Sequence, residues 1–252
     1  MITVILNGYK RPHTLKEQYE ALKAQTVDDL QIMFWGNIIE NVEDFPSEVV
    51  NKCVSSIANT NLGTWGRFSF ALFAKTPYVC VMDDDTIPGK KWFENCLQTM
   101  ETHRGVLSTR GCIMSANDHL YPFGDSYTPV GWCDPNPEPV RVDMGCHSWF
   151  FEKDWLRAYW AEMPAQLPQN FGEDTHISYA VKKHFGYNTY VPPHPLDDMD
   201  MWGSMPEKGL NYGQDGNSIS ESMGGTQGMN SYWNYVKQNG YRTIREENEI
   251  QN

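Results

Sequence analysis

Several signals are missing from this sequence. The opening apolar run, Met1–Leu6, stops at Asn7-Gly8 and is too short for a secretory signal core or a membrane span. No membrane span and a cytoplasmic location are therefore expected. Cysteine is sparse: Cys53, Cys80, Cys96, Cys112, Cys133 and Cys146 are scattered with no Cys-x-x-Cys pair. That spacing argues against a zinc site or disulfide framework and for free thiols in a reducing compartment. Basic residues are in deficit, 20 against 32 acidic, for a formal net charge of −12. Such a field repels a nucleic-acid backbone and leaves only a local basic groove open to one. Internal repeats and low-complexity tracts are absent.

What is present fits a folded globular protein. Hydrophobic residues make up 40% of the 252 and charged residues 21%. At this length about three quarters of the unfolded surface can be buried, so no covalent staple is needed. The nine Trp offer flat surfaces on which a sugar or base could stack, although most such side chains serve as core.

Strand and helix patterns alternate. Ile2–Leu6 reads as a first strand, followed by a Thr14-capped helix over Leu15–Lys23. Leu30–Trp35 is a second strand, and Val49–Ala58 fits strand or helix equally. A helix over Trp65–Ala74 precedes an apolar strand, Tyr78–Met82, and another helix runs from Trp92 to His103. A strand at Val106–Thr109 leads into a long loop, Met114–Pro139. Strands at Val140–Met144 and Trp149–Phe151, helices over Asp154–Trp160 and Glu173–His184, and a strand at Asn188–Val191 complete the alternation. Beyond Leu196 one helix, Ser231–Gln238, is expected. This order predicts an α/β sandwich on a mostly parallel sheet, with ligands at the carboxyl ends of the strands.

The sharpest feature is Asp83-Asp84-Asp85 at the end of Tyr78–Met82. Three adjacent carboxylates repel one another, and a hard divalent cation, Mn²⁺ or Mg²⁺, relieves that repulsion. Asp83 and Asp85 fall on one side of an extended chain. An acidic turn without a metal is the competing reading. Glu173-Asp174 at a helix start likewise suits the helix dipole with no chemical duty.

An apolar strand, an Asp-x-Asp, a proline and an aromatic-bearing helix together resemble the metal motif of GT-A fold glycosyltransferases. Other segments resemble that family in the same order over residues 1–195. Asn7-Gly8-Tyr9-Lys10-Arg11-Pro12 is similar to its first nucleotide loop. Asn61-x-Gly63 with Arg67 is similar to the segment bordering nucleobase and diphosphate, and Asp143-Met144-Gly145 to the glycine loop facing the donor sugar. Phe171-Gly172-Glu173-Asp174 resembles the x-Glu-Asp motif, and His194 falls at the late metal-binding histidine.

The resemblance implies a Rossmann-like α/β/α sandwich with a nucleotide-sugar half over about 1–110, an acceptor half over about 111–195, and a C-terminal extension, 196–252. It implies metal ligands Asp85, Asp83 and His194. Donor contacts would come from Asn7, Tyr9, Arg11, Trp35, Asn61, Arg67, Asp83, Asp84 and Gly145. Asp174 would be the general base of an inverting transfer from a nucleoside-diphosphate sugar, uridine by family prevalence, with Glu173 orienting acceptor or sugar. A subset of Trp132, Trp149, Trp155, Trp160 and Trp202 could line the acceptor, a glycan or another hydroxyl compound. A viral or bacterial source is expected; compact single-domain relatives also occur in large viruses and phages, where modified DNA bases such as hydroxymethylated ones can be acceptors, an option the net charge disfavours. The extension, with glycine-rich Gly209–Asn217, reads as a mobile lid whose removal would spare much of the fold. A sugar-nucleotide nucleotidylyltransferase and a non-catalytic nucleotide-sugar binding domain are the alternatives. The first calls for a glycine-rich opening loop, where Asn7–Pro12 supplies one Gly; the second leaves the intact carboxylates without a role.

Overall fold

A computed structural model describes residues 1–37, 41–115, 126–164, 171–213 and 225–251. The first half runs β1 (Ile2–Gly8), α1 (Pro12–Lys23), β2 (Leu30–Asn37), α2 (Ser47–Val50), β3 (Val54–Ala58), α3 (Gly66–Phe70), β4 (Tyr78–Met82) and α4 (Trp92–Thr102). The second continues with β5 (Val106–Met114), β6 (Tyr127–Gly131), β7 (Val140–Val142), β8 (Met144–Glu152), α5 (Leu156–Ala161), α6 (Glu173–Phe185) and β9 (Thr189–Val191). Three helices close it: α7 (Pro206–Gly213), α8 (Gly225–Gln238) and α9 (Ile244–Gln251).

The strands form one sheet in the order β3-β2-β1-β4-β8-β5-β9-β7, with β6 added on β5. β3, β2, β1 and β4 are parallel, β8 runs against both β4 and β5, and β9 returns parallel to β5. Six strands thus share a direction, the mostly parallel sheet expected. β1 and β4 sit mid-sheet and are buried on both faces, which is why Val4-Ile5-Leu6 and Val79–Met82 are unbroken apolar runs. Among the described residues, no helix is long and apolar enough to cross a membrane. All six cysteines are free.

Local chemistry shifts several boundaries. α1 starts at Pro12 rather than behind a Thr14 cap, because proline's fixed φ suits the first helical position. Thr14 lies inside that turn, its Oγ1 donating to Arg11 O at 2.9 Å. The ambiguous Val49–Ala58 divides into the end of α2 and all of β3. β5 extends past Thr109 to Met114, and the expected Met114–Pro139 loop contains β6, which pairs with β5; residues 116–125 of it lie outside the described residues.

The C-terminal extension differs most. Its described residues hold three helices where one was expected, and Gly209–Gly213 is helical, while 214–217 lie outside the described residues. Tyr232, Trp233, Val236 and Tyr241 belong to the main core, with Trp233 and Val236 fully buried. Buried Asp143 accepts from Met114 N and Ile244 N, both at 2.7 Å, so its carboxylate ties β5 to the start of α9. The expectation of a detachable lid with little core of its own is corrected on this point: the extension supplies large core side chains.

Candidate functional site

The site grows from the end of β4. Asp83–Thr86 is a turn, Thr86 N donating to Asp83 O at 3.3 Å. Gln18, fully buried on α1, clamps it by donating Nε2 to Asp83 O at 2.7 Å and Thr86 O at 2.8 Å. On the other side the β4–β8 register, Met82 opposite Ser148, carries on one step: Asp83 N donates to His147 O at 2.8 Å. Thr86 Oγ1 donates to the same carbonyl at 3.1 Å.

His147 has φ +68°, a left-handed conformation costing a non-glycine residue about 1–3 kcal/mol, and two donors on its carbonyl hold it there. Its ring stands edge-on to Trp132 at 4.7 Å. Ligand atoms of Asp83, Asp85 and His147 all lie within 4.8 Å of one another. Asp85 Oδ1 is buried with no hydrogen-bond partner and sits 3.7 Å from His147 Nδ1. An orphaned carboxylate oxygen beside an imidazole nitrogen and a second carboxylate is a donor set that a divalent cation fits. Asp83 and Asp85 converge through the turn rather than through the strand alternation expected of them.

His194 is corrected as a metal ligand. It is fully buried, Nδ1 donates to Pro192 O at 2.8 Å, and Nε2 accepts from Gly203 N at 3.1 Å. Both ring nitrogens are therefore occupied, and burial lowers its pKa to about 4. The histidine that stands with Asp83 and Asp85 is instead His147, which the sequence reading passed over. Its one available signal was a histidine two residues beyond Gly145.

The cations divide the acids between them. Arg11 reaches Asp84 at 2.7 Å and Asp85 at 3.4 Å. Burial pushes the Asp84 carboxyl up to about 7 despite Arg11. For Asp85 burial acts in the same upward sense, but His147 and Arg11 outweigh it and leave the carboxyl below its ordinary range. Arg67 on α3 is almost wholly buried, pairs with Asp83 through one nitrogen and with Glu173 Oε1 through the other at 2.8 Å, and lies 4.9 Å over the Trp149 ring. Thr64 Oγ1 donates to Glu173 Oε2 at 2.7 Å, so both oxygens of that carboxylate are held. Burial pushes Glu173 up to about 7, against the pull of Arg67. Asp174, next along α6 and buried, accepts from Thr175 N at 2.6 Å.

Other expected contacts separate into rims and struts. Asn7 and Tyr9 stand at the carboxyl end of β1, Asn7 level with Trp35 on β2. Trp35 is core, 5.9 Å from Phe70. Asn61 accepts from Asn37 Nδ2 at 3.0 Å and Gly63 N at 2.8 Å, bracing the loop before α3. Gly145 lies within β8, where a Cβ would overlap Ser108 Oγ on β5, so close strand packing demands glycine. Trp149, Trp155 and Trp202 are core; Trp132 stands beside the triad. α7 ends at the site, with Gly213 against Asp85 and Gly209 against Trp132.

No protein-family model matches the chain, and no curated protein matches it by sequence. Its fold, a mixed α/β arrangement on a mostly parallel sheet, is shared with solved structures. Solved structures of TarS from S. aureus carry the likeness. The 1–349 crystal with UDP aligns at a TM-score of 0.52 with 16% identity, over 77% of this chain and 58% of that one. The crystal with UDP-GlcNAc gives 0.50, 15%, 77% and 56%. A longer TarS structure gives 0.51, 14%, 77% and 35%. This chain thus spans less than two thirds of each, and at these identities the likeness speaks for the fold.

Proposed function

We propose that the chain is a metal-dependent, inverting glycosyltransferase that moves a sugar from a nucleoside-diphosphate donor to a hydroxyl acceptor. The observation that carries this reading is the convergence of Asp83, Asp85 and His147 at the strand ends, joined through Arg67 to Glu173 at the start of α6. Asp83, Asp85 and His147 would hold the cation, and the imidazole favours Mn²⁺ over Mg²⁺; bound there, it would act as Lewis acid on the departing diphosphate. Arg11, Asn7 and Tyr9 border the same strand ends and would line the nucleotide. The TarS crystals with UDP and UDP-GlcNAc support a uridine donor.

Inversion needs one base on the acceptor side. Glu173 has both oxygens committed to Arg67 and Thr64, which makes it the strut. Neighbours on a helix diverge by about 100°, and Asp174 takes the proton from the attacking hydroxyl. The acceptor is a glycan or another hydroxyl compound, the net charge of −12 disfavouring DNA. The test is UDP release from UDP-sugars with Mn²⁺ or Mg²⁺. Asp174→Asn should lower kcat by about two to four orders of magnitude with donor affinity retained. A near-normal Asp174→Asn beside a dead Glu173→Gln would reverse the two roles, and activity in both would remove the base from this helix.

A further inference from the structure

Helix α8 turns one face to the start of α6. Gly228 and Tyr232, four residues apart and so on one side of the helix, straddle the segment Phe171–Gly172 that leads into Glu173-Asp174. Gly172 takes φ +94°, and a Cβ there would stand 2.5 Å from Tyr232 Cγ. A Cβ at Gly228 would overlap the Phe171 ring. Trp65 Nε1 holds the same segment from the α3 side, donating to Phe171 O at 3.1 Å.

The first turn of α6 is fixed by its own histidine. His176 N donates to Gly172 O at 2.8 Å, and its ring is fully buried between Trp65 and Tyr159, with centroids at 4.8 and 4.6 Å. Its Nε2 lies 2.7 Å from Tyr159 O. A carbonyl only accepts, so Nε2 carries the proton and Nδ1 of the neutral ring is an acceptor. The Tyr232 hydroxyl, 2.5 Å away, must then donate to Nδ1. Burial lowers the His176 pKa to about 4, in keeping with a neutral ring.

We propose that Tyr232 is a positioning residue for the acceptor-side carboxylates, its ring filling the space over Gly172 and its hydroxyl orienting His176 so that the first turn of α6 points Asp174 correctly. This rests on the reading of Asp174 as the base. It gives the C-terminal extension a part in the reaction distinct from covering the site. Glu173, anchored by Arg67, would share the same frame, because Trp65 and Arg67 stand two residues apart around the start of α3.

Tyr232→Phe keeps the ring on Gly172 and removes the hydroxyl. Hydrogen–deuterium exchange should then quicken about tenfold at the amides of residues 174–177 and stay unchanged in β1 and β4. In UDP release from UDP-GlcNAc, or from whichever sugar nucleotide turns over, kcat should fall about ten- to a hundredfold with KM for donor within about twofold. In a His176→Asn background the same change should have no further effect on kcat, since the hydroxyl acts through His176. Unchanged exchange at 174–177 overturns the inference. So does a uniform quickening across the chain with kcat tracking the folded fraction, which a purely structural role would give. Full turnover by Asp174→Asn would instead remove the base assignment and the inference with it, an outcome read in a different variant.

Discussion

Replacing Arg67 with methionine tests the bridge on which the site is built. The guanidinium is 4% exposed and faces two carboxylates, Asp83 and Glu173, the latter also largely buried. Burial alone would disfavour its charge, yet the two acids outweigh that and hold it firmly protonated. Methionine fills similar volume, so the loss is dominated by buried charge left without a partner. Removing one member of such a pair costs about 3–5 kcal/mol. For a chain of this size about 2–4 °C of melting temperature accompanies each kcal/mol, so Tm should drop by about 6–20 °C. Glu173 would then relieve itself by taking up a proton. Its folded pKa, already raised to about 7, would climb further above the unfolded value. A raised folded pKa gives stability at low pH that is lost as pH rises through it, so the deficit of the variant should be larger at pH 8.5 than at pH 6. Adding Glu173→Gln should recover a large part of the loss. The assay is thermal melting by circular dichroism at both pH values, with calorimetry of UDP and Mn²⁺ binding. A Tm change under about 2 °C at pH 8.5, or no recovery in the double variant, would refute the reasoning.

Three further outcomes are expected. Asp85→Asn and excess chelator should each abolish donor turnover, and His147→Ala should weaken Mn²⁺ binding by about 10- to 100-fold; if His194→Gln weakens it instead, the ligand assignment falls. His176 and His194 are buried neutral with pKa lowered from 6.5 to about 4. The unfolded chain protonates first, so each costs up to about 3 kcal/mol of stability as pH falls from 6.5 to 4, a loss absent above pH 7. Asp84 and Glu173 act in the opposite sense, so the measurement is urea unfolding of wild type against His194→Gln, and parallel pH slopes would refute it. Ending the chain after Pro195 should leave an aggregated or molten protein rather than an inactive folded one, since the large buried side chains Trp233 and Tyr241 each contribute about 3–5 kcal/mol; a sharp melting transition in the truncated chain would contradict this.

How far the sequence reaches can be judged residue by residue. The apolar run Tyr78–Met82 followed by three aspartates announces a buried strand with charge gathered at its carboxyl end, and that much is local. Glu173-Asp174 behind Phe171-Gly172 announces a helix start for the same reason. Alternating periodicities of two and 3.6 are written into short stretches of chain, so the α/β order was legible. What the linear order does not contain is pairing between distant strands. His147 became a ligand candidate only because β8 runs antiparallel to β4 with Met82 opposite Ser148, which brings His147 beside Asp83. His194 lost that place because Pro192 and Gly203 occupy both ring nitrogens, a matter of long-range packing. Gly145 carries a family-like motif, and the need for glycine there is seen only once Ser108 on a neighbouring strand is placed against it. Arg67 could have been a surface charge until the fold placed it between Asp83 and Glu173. Composition around 209–217 suggested a loose extension, but Trp233 and Tyr241 enter a core built by residues more than fifty positions earlier. Propensity and capping act over a few residues and can be read from the chain; charge pairing, ligand convergence and core membership depend on which segments meet, and only the tertiary structure decides that.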